Sequence, residues 1–239
     1  MIDTIFFDLD GTLLLMDQDE FLKHYFDKLK KKFGDESILK VVKVGVVAMI
    51  ENDGSKTNEK AFWDVFNKLV PNNNLENKFI DFYTNEFQEL KSITNMHNQG
   101  KEAIKLLKSK GYDIALCTNP FFPKIATYSR IMWAGIDPED FIWITTYENS
   151  HYCKPNLKYY EEVLQITNKK PENVLMVGND VLEDLCVKKL GMKTFLVEDN
   201  LINKNNLEII SDYNGSFKAF YEFVKSLPER INYGKVSTN

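Results

Sequence analysis

The sequence has few of the features that mark secreted, membrane-spanning or zinc-binding proteins. Its three cysteines, Cys117, Cys153 and Cys186, are an odd number without CxxC spacing, which argues against a disulfide framework or a zinc site and favours reduced, structural thiols. The most apolar later run, Val41 to Ile50, contains Lys43 and is well short of the roughly 20 residues that cross a bilayer. No secretory signal pattern opens the chain. We therefore expect a cytoplasmic protein without a membrane partner.

The chain also lacks an excess of positive charge. It carries 30 Lys and Arg against 35 Asp and Glu, which gives a net charge of −5. Because nucleic-acid-binding proteins normally present a basic stripe, this balance argues against a nucleic-acid partner. With 239 residues, 44% of them hydrophobic and 27% charged, the chain has a globular composition and is long enough for one domain with a sizeable insertion. The composition gives no information on the oligomeric state.

The first fourteen residues contain the strongest local pattern. The apolar run Ile5 to Phe7 is too short for a helix and predicts a buried strand, which stops at Asp8-Leu9-Asp10-Gly11-Thr12. In an open parallel sheet, functional groups collect beyond the carboxyl ends of the strands. Two carboxylates held so near to each other repel, and such a pair needs a cation or a shared proton. An ordinary strand followed by a polar turn is the alternative, since Asp and Gly are common in turns.

Helical periodicity then continues for about 80 residues. Apolar positions at helical spacing predict four helices, at Asp17–Phe33, Ser37–Ile50, Asn58 to just before Pro71, and Leu75–Leu90. Four helices without a strand predict a helical bundle inserted into a second domain. We assign residues 16–96 to this four-helix cap domain and residues 1–15 and 97–239 to the core domain. The aromatic side chains of the helices are expected to form the core of the bundle, in preference to a ligand site.

From Asn98 onward, helical and strand patterns alternate, which is typical of α/β proteins with a parallel sheet. The predicted strands are Asp113–Thr118, Phe141–Thr145, Asn173–Val177 and Thr194–Val197. The predicted helices are Gln99–Lys110, Pro123–Ala134, Asn156–Ile166, Val181–Leu190 and Phe217–Ser226. The fold class is therefore predicted as α/β, with a doubly wound parallel sheet and an inserted helical cap. The tail from Leu227 carries little pattern and is expected to be loosely held.

Polar residues follow the predicted strands in a fixed order. They are Asp8 and Asp10, then Thr118 and Asn119, then Lys154 before a helix, and finally Asn179, Asp180 and Asp184. Taken alone, each has an ordinary interpretation, and Lys154 would be a solvated surface lysine. The ordered set resembles the four motifs of the haloacid dehalogenase superfamily of aspartate-nucleophile phosphohydrolases. The first motif is intact as Asp8-Leu9-Asp10-Gly11-Thr12, and the others match Thr118, Lys154-Pro155 and Gly178-Asn179-Asp180 with Asp184.

This resemblance implies a Mg²⁺-dependent phosphatase that acts on a small phosphorylated metabolite. It makes Asp8 the nucleophile that forms an aspartyl-phosphate and Asp10 the general acid and base. Thr118 and Lys154 would be catalytic and bind the phosphoryl oxygens, with Asn119 as a further substrate contact. Asp8, the backbone carbonyl of Asp10, and Asp180 would hold the magnesium. The family's helical cap, placed between Asp10 and Thr118, would carry substrate specificity.

The sequence departs from the family pattern at Asn179, where an acid is usual. Because Mg²⁺ prefers carboxylate, we assign the direct contact to Asp180 and keep Asn179 as a possible ligand. Asp184 either orients Lys154 or bound water, or begins an exposed helix face. Asp10 itself favours phosphoryl transfer, because family members that cleave carbon–halogen or carbon–phosphorus bonds lack this second acid.

Other chemistries have weaker support in the sequence. His24, His97 and His151 have no metal-ligand spacing, and Cys153 lacks the following Arg of a cysteine phosphatase. Gly100-Lys101 lacks the remaining residues of a P-loop. A phosphomutase on the same scaffold and a related domain that binds a ligand without turnover are the two alternative functions.

Overall fold

The structure, a computed structural model, describes residues 1–71 and 75–230. Residues 72–74 and 231–239 lie outside the described residues. The predicted core domain and the predicted loose tail from Leu227 both end in residues 231–239, and that part of each prediction therefore also lies outside the described residues. Within the described ranges, no helix combines the length and the apolar character that a bilayer crossing requires.

A six-stranded sheet in which every neighbouring pair is parallel forms the larger part of the molecule. In chain order its strands are β1 (Thr4–Phe7), β4 (Asp113–Leu116), β5 (Trp143–Ile144), β6 (Val174–Gly178), β7 (Lys193–Val197) and β8 (Tyr213–Gly215). Their order in space is β5-β4-β1-β6-β7-β8, which places β1 between β4 and β6. The predicted α/β fold with a parallel sheet is confirmed.

Helices cover both faces of the sheet, and the alternating side chains of β1 show the two layers. Ile5 and Phe7 pack in the cluster that includes α5 (Asn98–Ser109) and α8 (Phe217–Ser226). Phe6 packs in the cluster of α7 (Leu157–Ile166) on the opposite face. Since both faces of β1 are buried, the strand is apolar at successive positions and does not alternate with polar residues.

The inserted segment contains α1 (Gln18–Phe33), α2 (Glu36–Ile50), α3 (Asn58–Leu69) and α4 (Leu75–Thr84), as the helical periodicity predicts. Asp17 caps α1 by accepting a hydrogen bond from the Glu20 amide. The two chain crossings at the base of the insertion pair as short antiparallel strands, β2 (Leu14–Leu15) and β3 (Asn95–Met96), which the sequence analysis did not anticipate. The pair lies close to the predicted domain boundaries at 15/16 and 96/97, and those boundaries stay a prediction.

The predicted fourth helix, Leu75–Leu90, is wrong in its second half. The α-helix ends at Thr84, and residues Glu86–Ile93 form a 3-10 helix. Asn85 donates its side-chain amide to the carbonyl of Asp81, and Gln88 donates to the carbonyl of Tyr83. These local hydrogen bonds compete with continuation of the helix, whereas Phe87 and Leu90 remain buried in either form. Periodicity of apolar residues therefore could not show the break.

The predicted helix Val181–Leu190 is also wrong at its start. Residues 181–184 form a turn, and a 3-10 helix follows at Leu185–Leu190. Asp180 accepts hydrogen bonds from the amides of Leu182 and Glu183, which holds the backbone in a turn. The list of predicted strands is also incomplete, because β8 pairs with β7 and adds an edge strand after Val197.

Helix α6 (Lys124–Trp133) follows β4 close to the predicted bounds. Two predicted strands are shorter than expected, because Asp113–Thr118 ends at Leu116 and Phe141–Thr145 contracts to Trp143–Ile144. Thr118 therefore lies in the loop beyond β4, where its side chain is free of the sheet.

Asp212 fixes the edge strand β8 to the sheet. Its carboxylate accepts hydrogen bonds from Lys188, Lys193 and the amide of Thr194. Although burial acts to raise the pKa of Asp212, the hydrogen bonds from Lys188 and Lys193 lower it to about 2. Because the pKa of Asp212 is lower in the folded protein than its ordinary value of 3.8, ionised Asp212 stabilises the fold at pH values above 3.8. This stabilisation disappears as the pH falls toward 2.

We expect Asp212→Asn to lower the free energy of unfolding at pH 7 by about 1–2 kcal/mol, because a charged acceptor of several hydrogen bonds is lost. Urea unfolding at a series of pH values measures the effect. The difference from the wild type should shrink between pH 4 and pH 2. Asp27→Asn, on an exposed position of α1, is the control and should change stability by less than about 0.5 kcal/mol. A difference for Asp212→Asn that stays constant over this range would contradict the assignment.

Candidate active site

A small cavity of about 170 Å³ lies beyond the carboxyl ends of β1, β4 and β6. Its wall brings together seven of the residues that the sequence analysis singled out, namely Asp8, Asp10, Thr118, Asn119, Asn179, Asp180 and Asp184. They come from three separate loops of the core. Parallel pairing of adjacent strands produces this convergence, since it aligns the carboxyl ends of β1, β4 and β6 at one edge.

A tight turn after β1 sets the positions of the first two acids. The Leu9 side chain is buried between Asp8 and Asp10, and the Leu9 carbonyl accepts hydrogen bonds from the amides of residues 12–14. Gly11 has a φ of +85°, which residues other than glycine rarely adopt. A Cβ at this position would also overlap the amide of Asn179. Glycine is therefore required for the turn to approach the loop after β6.

Lys154 lies behind the cavity wall, in contact with Asp8. Its ammonium donates to Asp8 Oδ1 over 2.8 Å and to Asp184 Oδ1 over 2.7 Å, and its side chain is fully buried. Burial acts to lower the pKa of Lys154, but the carboxylates of Asp184 and Asp8 raise it well above the ordinary value. The lysine is thus a fixed positive charge. The peptide bond from Lys154 to Pro155 is cis.

The acids around the cavity outnumber the positive charges. Five carboxylates line the wall, from Asp8, Asp10, Asp180, Glu183 and Asp184. Lys154 and Arg130 are the basic side chains hydrogen-bonded to them in the described part of the chain. Burial is the main cause that raises the pKa of Asp8 to about 7 and that of Glu183 to about 8, and it also raises the pKa of Asp180. Such a site attracts a cation.

The loop after β6 presents oxygen atoms to the cavity. Asn179 is buried, accepts the Thr12 hydroxyl on Oδ1 at 3.0 Å, and donates Nδ2 to the carbonyl of Asn200. Asp180 uses Oδ1 to cap the following turn, and its amide donates to Asp184 Oδ2. Both Asn179 and Asp180 line the cavity, so the structure keeps both as candidate ligands.

The chemistry of these donors fits a magnesium ion. Carboxylate and amide oxygens are the ligands that hard cations prefer, and Asp8, Asn179 and Asp180 bring such oxygens to the cavity. Within residues 1–71 and 75–230, no three His, Cys, Asp or Glu side chains are grouped closely enough to hold a metal by themselves. Mg²⁺ commonly uses one or two carboxylates and completes its shell with neutral oxygens, water and substrate phosphate.

Arg130 on α6 is a site residue that the sequence analysis missed. Its guanidinium forms an ion pair with Asp10 Oδ2 and is only 1% exposed. The guanidinium carbon lies 4.6 Å from the centre of the Phe122 ring, which is a cation–π contact. The sequence contains one indication that Arg130 is buried. It lies four residues from both Ala126 and Ala134, on a helix face that is otherwise apolar.

The loop after β4 places Thr118 and Asn119 at the cavity. The Thr118 carbonyl accepts hydrogen bonds from the hydroxyls of Thr145 and Tyr159, which fixes the loop from behind. Asn119 donates to Glu183 Oε1 over 2.9 Å. Glu183, like Thr145 and Tyr159, was not predicted, because hydrogen bonds between distant loops leave no mark on periodicity.

The chain is similar to a known family and to several known proteins. The family model of haloacid dehalogenase-like hydrolases matches residues 2–185. Glyceraldehyde 3-phosphate phosphatase from Methanothermobacter thermautotrophicus is 32% identical over 111 residues, 43% of this chain and about half (48%) of that relative's length. Pyrophosphatase PpaX from Bacillus cereus is 21% identical over 210 residues, 87% of this chain and 88% of that protein.

A solved structure described as a HAD phosphatase, from Thermococcus onnurineus, shares the fold. Its TM-score is 0.61 at 18% identity, and the alignment covers 96% of this chain and 100% of that one. At this level of identity the likeness concerns the fold alone.

The pair of Arg130 and Asp10 gives a testable consequence. We expect Arg130→Met and Asp10→Asn each to lower the free energy of unfolding by about 3–5 kcal/mol, because either change leaves its buried partner without a counterion. The double variant should lose clearly less than the sum of the two. Urea unfolding of the four proteins measures this coupling energy.

The exposed pair Lys204 and Asp19 is the matched control, and the cycle of Lys204→Met and Asp19→Asn should give a coupling below about 1 kcal/mol. Additivity of the Arg130 and Asp10 substitutions within about 0.5 kcal/mol would show that the two groups do not interact in solution.

Proposed function

The chain belongs to the haloacid dehalogenase-like hydrolases, and on that basis we propose that it hydrolyses a small-molecule phosphomonoester through an aspartyl-phosphate on Asp8. The observation that carries this proposal is the convergence of Asp8, Asp10, Thr118 and Asp180 on one cavity, with the Lys154 ammonium directly behind Asp8. The names of the two relatives, a phosphatase and a pyrophosphatase, are consistent with it. A cytoplasmic location is part of the proposal, and the few, reduced cysteines support it.

Asp8 is the proposed nucleophile. Lys154 holds Oδ1, whereas Oδ2 has only a 3.5 Å contact with the Thr12 hydroxyl and is the freer oxygen for attack. In the first step an Asp8 oxygen forms a bond to phosphorus, and the bond between phosphorus and the ester oxygen breaks. In the second step water attacks the phosphorus, which releases inorganic phosphate and restores the Asp8 carboxylate.

Asp10 is the proposed proton carrier for both steps. It would donate a proton to the leaving ester oxygen and then accept a proton from the attacking water. Arg130 occupies Oδ2, so the unpartnered Oδ1 is the atom proposed to exchange protons.

Thr118, Asn119 and Lys154 are proposed to bind the phosphoryl oxygens. Thr118 and Asn119 reach the cavity from the loop after β4, and Lys154 supplies positive charge from behind Asp8. Mg²⁺ would be held by Asp8, the carbonyl of Asp10, and Asp180, with Asn179 as an adjacent neutral oxygen. When bound, it supplies positive charge that offsets the five carboxylates and the phosphate dianion.

We expect purified protein to release inorganic phosphate from p-nitrophenyl phosphate. Asp8→Asn should lower kcat by at least about 10³-fold, because an amide cannot replace the carboxylate nucleophile. EDTA should abolish the activity, and added Mg²⁺ should restore it. Detection of free phosphate also separates hydrolysis from transfer of the phosphoryl group to another position of a substrate.

Asp27→Asn, the exposed α1 variant, should retain the wild-type kcat. Undiminished phosphate release by Asp8→Asn would remove Asp8 from the mechanism.

A further inference from the structure

A second, much larger cavity adjoins the phosphate site. Its volume is about 840 Å³, within the range of pockets that bind drug-sized molecules. Helices α1 to α4 form one wall, and the segments that follow β4 and β5 form the other. Three residues, Leu22, Phe121 and Phe122, line both cavities, so the large one opens directly beside the cluster of carboxylates.

The wall of the large cavity is apolar and rich in aromatic rings. Ten of its twenty-one residues are aromatic, so the aromatic faces predicted to form only the core of the bundle also border open space. The hydroxyls of Tyr25 and Tyr83 hydrogen-bond to each other over 2.8 Å. The ammonium groups of Lys43 and Lys124 lie over the rings of Phe26 and Tyr128. The two tyrosine hydroxyls are therefore already paired, which leaves Trp63 Nε1 as a buried donor without a hydrogen-bond partner on this wall.

The charged groups on this wall give no strong attraction for a second anion. Three acids, Glu59, Glu76 and Glu148, and two lysines, Lys43 and Lys124, border the cavity, and Glu148 accepts hydrogen bonds from the amide of Lys124. The wall therefore carries no excess of positive charge that would attract a second phosphate or a carboxylate on the substrate. A compound with one phosphate and an uncharged remainder fits this balance.

We propose, on the basis of the phosphatase function above, that the large cavity binds the leaving group of the substrate. The substrate class is a monophosphate ester of a bulky, uncharged and mainly apolar alcohol. Burial of apolar surface is then the source of selectivity, while the small cavity positions the phosphate. Inorganic pyrophosphate and short polar esters leave the large cavity empty and are poor substrates.

Contacts between the two cavities support this orientation. Phe122 belongs to both walls and lies against the guanidinium of Arg130, which is paired with Asp10. In the proposed mechanism the ester oxygen receives its proton from Asp10. The first carbon atoms of the alcohol therefore pass Phe122, and the rest of the chain extends toward α2 and α4.

A series of linear alkyl phosphates, from ethyl to octyl, tests the proposal. Each methylene that enters the cavity should raise kcat/KM by about fourfold, up to the limit set by cavity size. We expect octyl phosphate to exceed ethyl phosphate by at least about 100-fold. Pyrophosphate should be hydrolysed no better than ethyl phosphate.

Two substitutions on the same helix provide the matched comparison. Val46 lines the cavity, whereas its neighbour Val47 is 47% exposed and does not. Val46→Trp should fill space in the cavity and remove most of the dependence of kcat/KM on chain length. Val47→Trp should behave like the wild type. Equal flattening by both variants would overturn the proposal.

Binding of non-hydrolysable alkylphosphonates separates this inference from the proposed function. By calorimetry, octylphosphonate should bind the wild type at least about 100-fold more tightly than ethylphosphonate, and Val46→Trp should remove the difference. Equal affinity for the two phosphonates would overturn the assignment of the cavity, even if both phosphates are hydrolysed. Tight octylphosphonate binding without hydrolysis of any ester would support the cavity assignment and reject the phosphatase function.

Discussion

The buried ammonium of Lys154 is the interaction on which the arrangement of the site depends. It joins Asp8 at the end of β1 to Asp184 after β6, and it approaches both from the loop before α7. Removing such a charge from water is costly unless partners surround it, and here two carboxylates do so. The lysine thus draws three loops of the core together. It also fixes one oxygen of Asp8, so that the other faces the cavity.

Asp8 and Asp10 are two positions apart but lie in different electrostatic environments. Asp8 contacts a lysine that it shares with Asp184, whereas Asp10 is paired with Arg130 of α6. Groups whose surroundings differ in this way can take separate roles, one as nucleophile and one in proton transfer. Arg130, the partner of Asp10, also contacts Phe122, which lines the large apolar cavity. Asp10, the proposed proton carrier, is therefore connected through Arg130 and Phe122 to the surface that is proposed to select the alcohol.

Much of this organisation was predictable from the sequence, because it follows from local pattern. Apolar runs and helical spacing located β1, β6 and helices α1 to α3, and the motif residues fell at the ends of strands as parallel sheets require. The break at Asn85 and the turn after Asp180 were not predictable, because side-chain hydrogen bonds decide them. Arg130 was missed for a related reason: only tertiary packing turns a charged residue of an amphipathic helix toward Asp10. The large cavity is likewise a property of how helices pack, which composition does not report.

The central claim is that Asp8 receives the phosphoryl group and that Asp10 is needed to release it. The most direct measurement is mass spectrometry of acid-quenched Asp10→Asn protein after incubation with Mg²⁺ and p-nitrophenyl phosphate, whose leaving group needs no proton from Asp10. The claim predicts one added phosphoryl group on the peptide that contains Asp8, since an amide cannot activate the water for the second step. Asp8→Asn with Asp10→Asn should show none. Phosphate release by the wild type, with no phosphoryl group on Asp8 in any quenched sample, would contradict the claim.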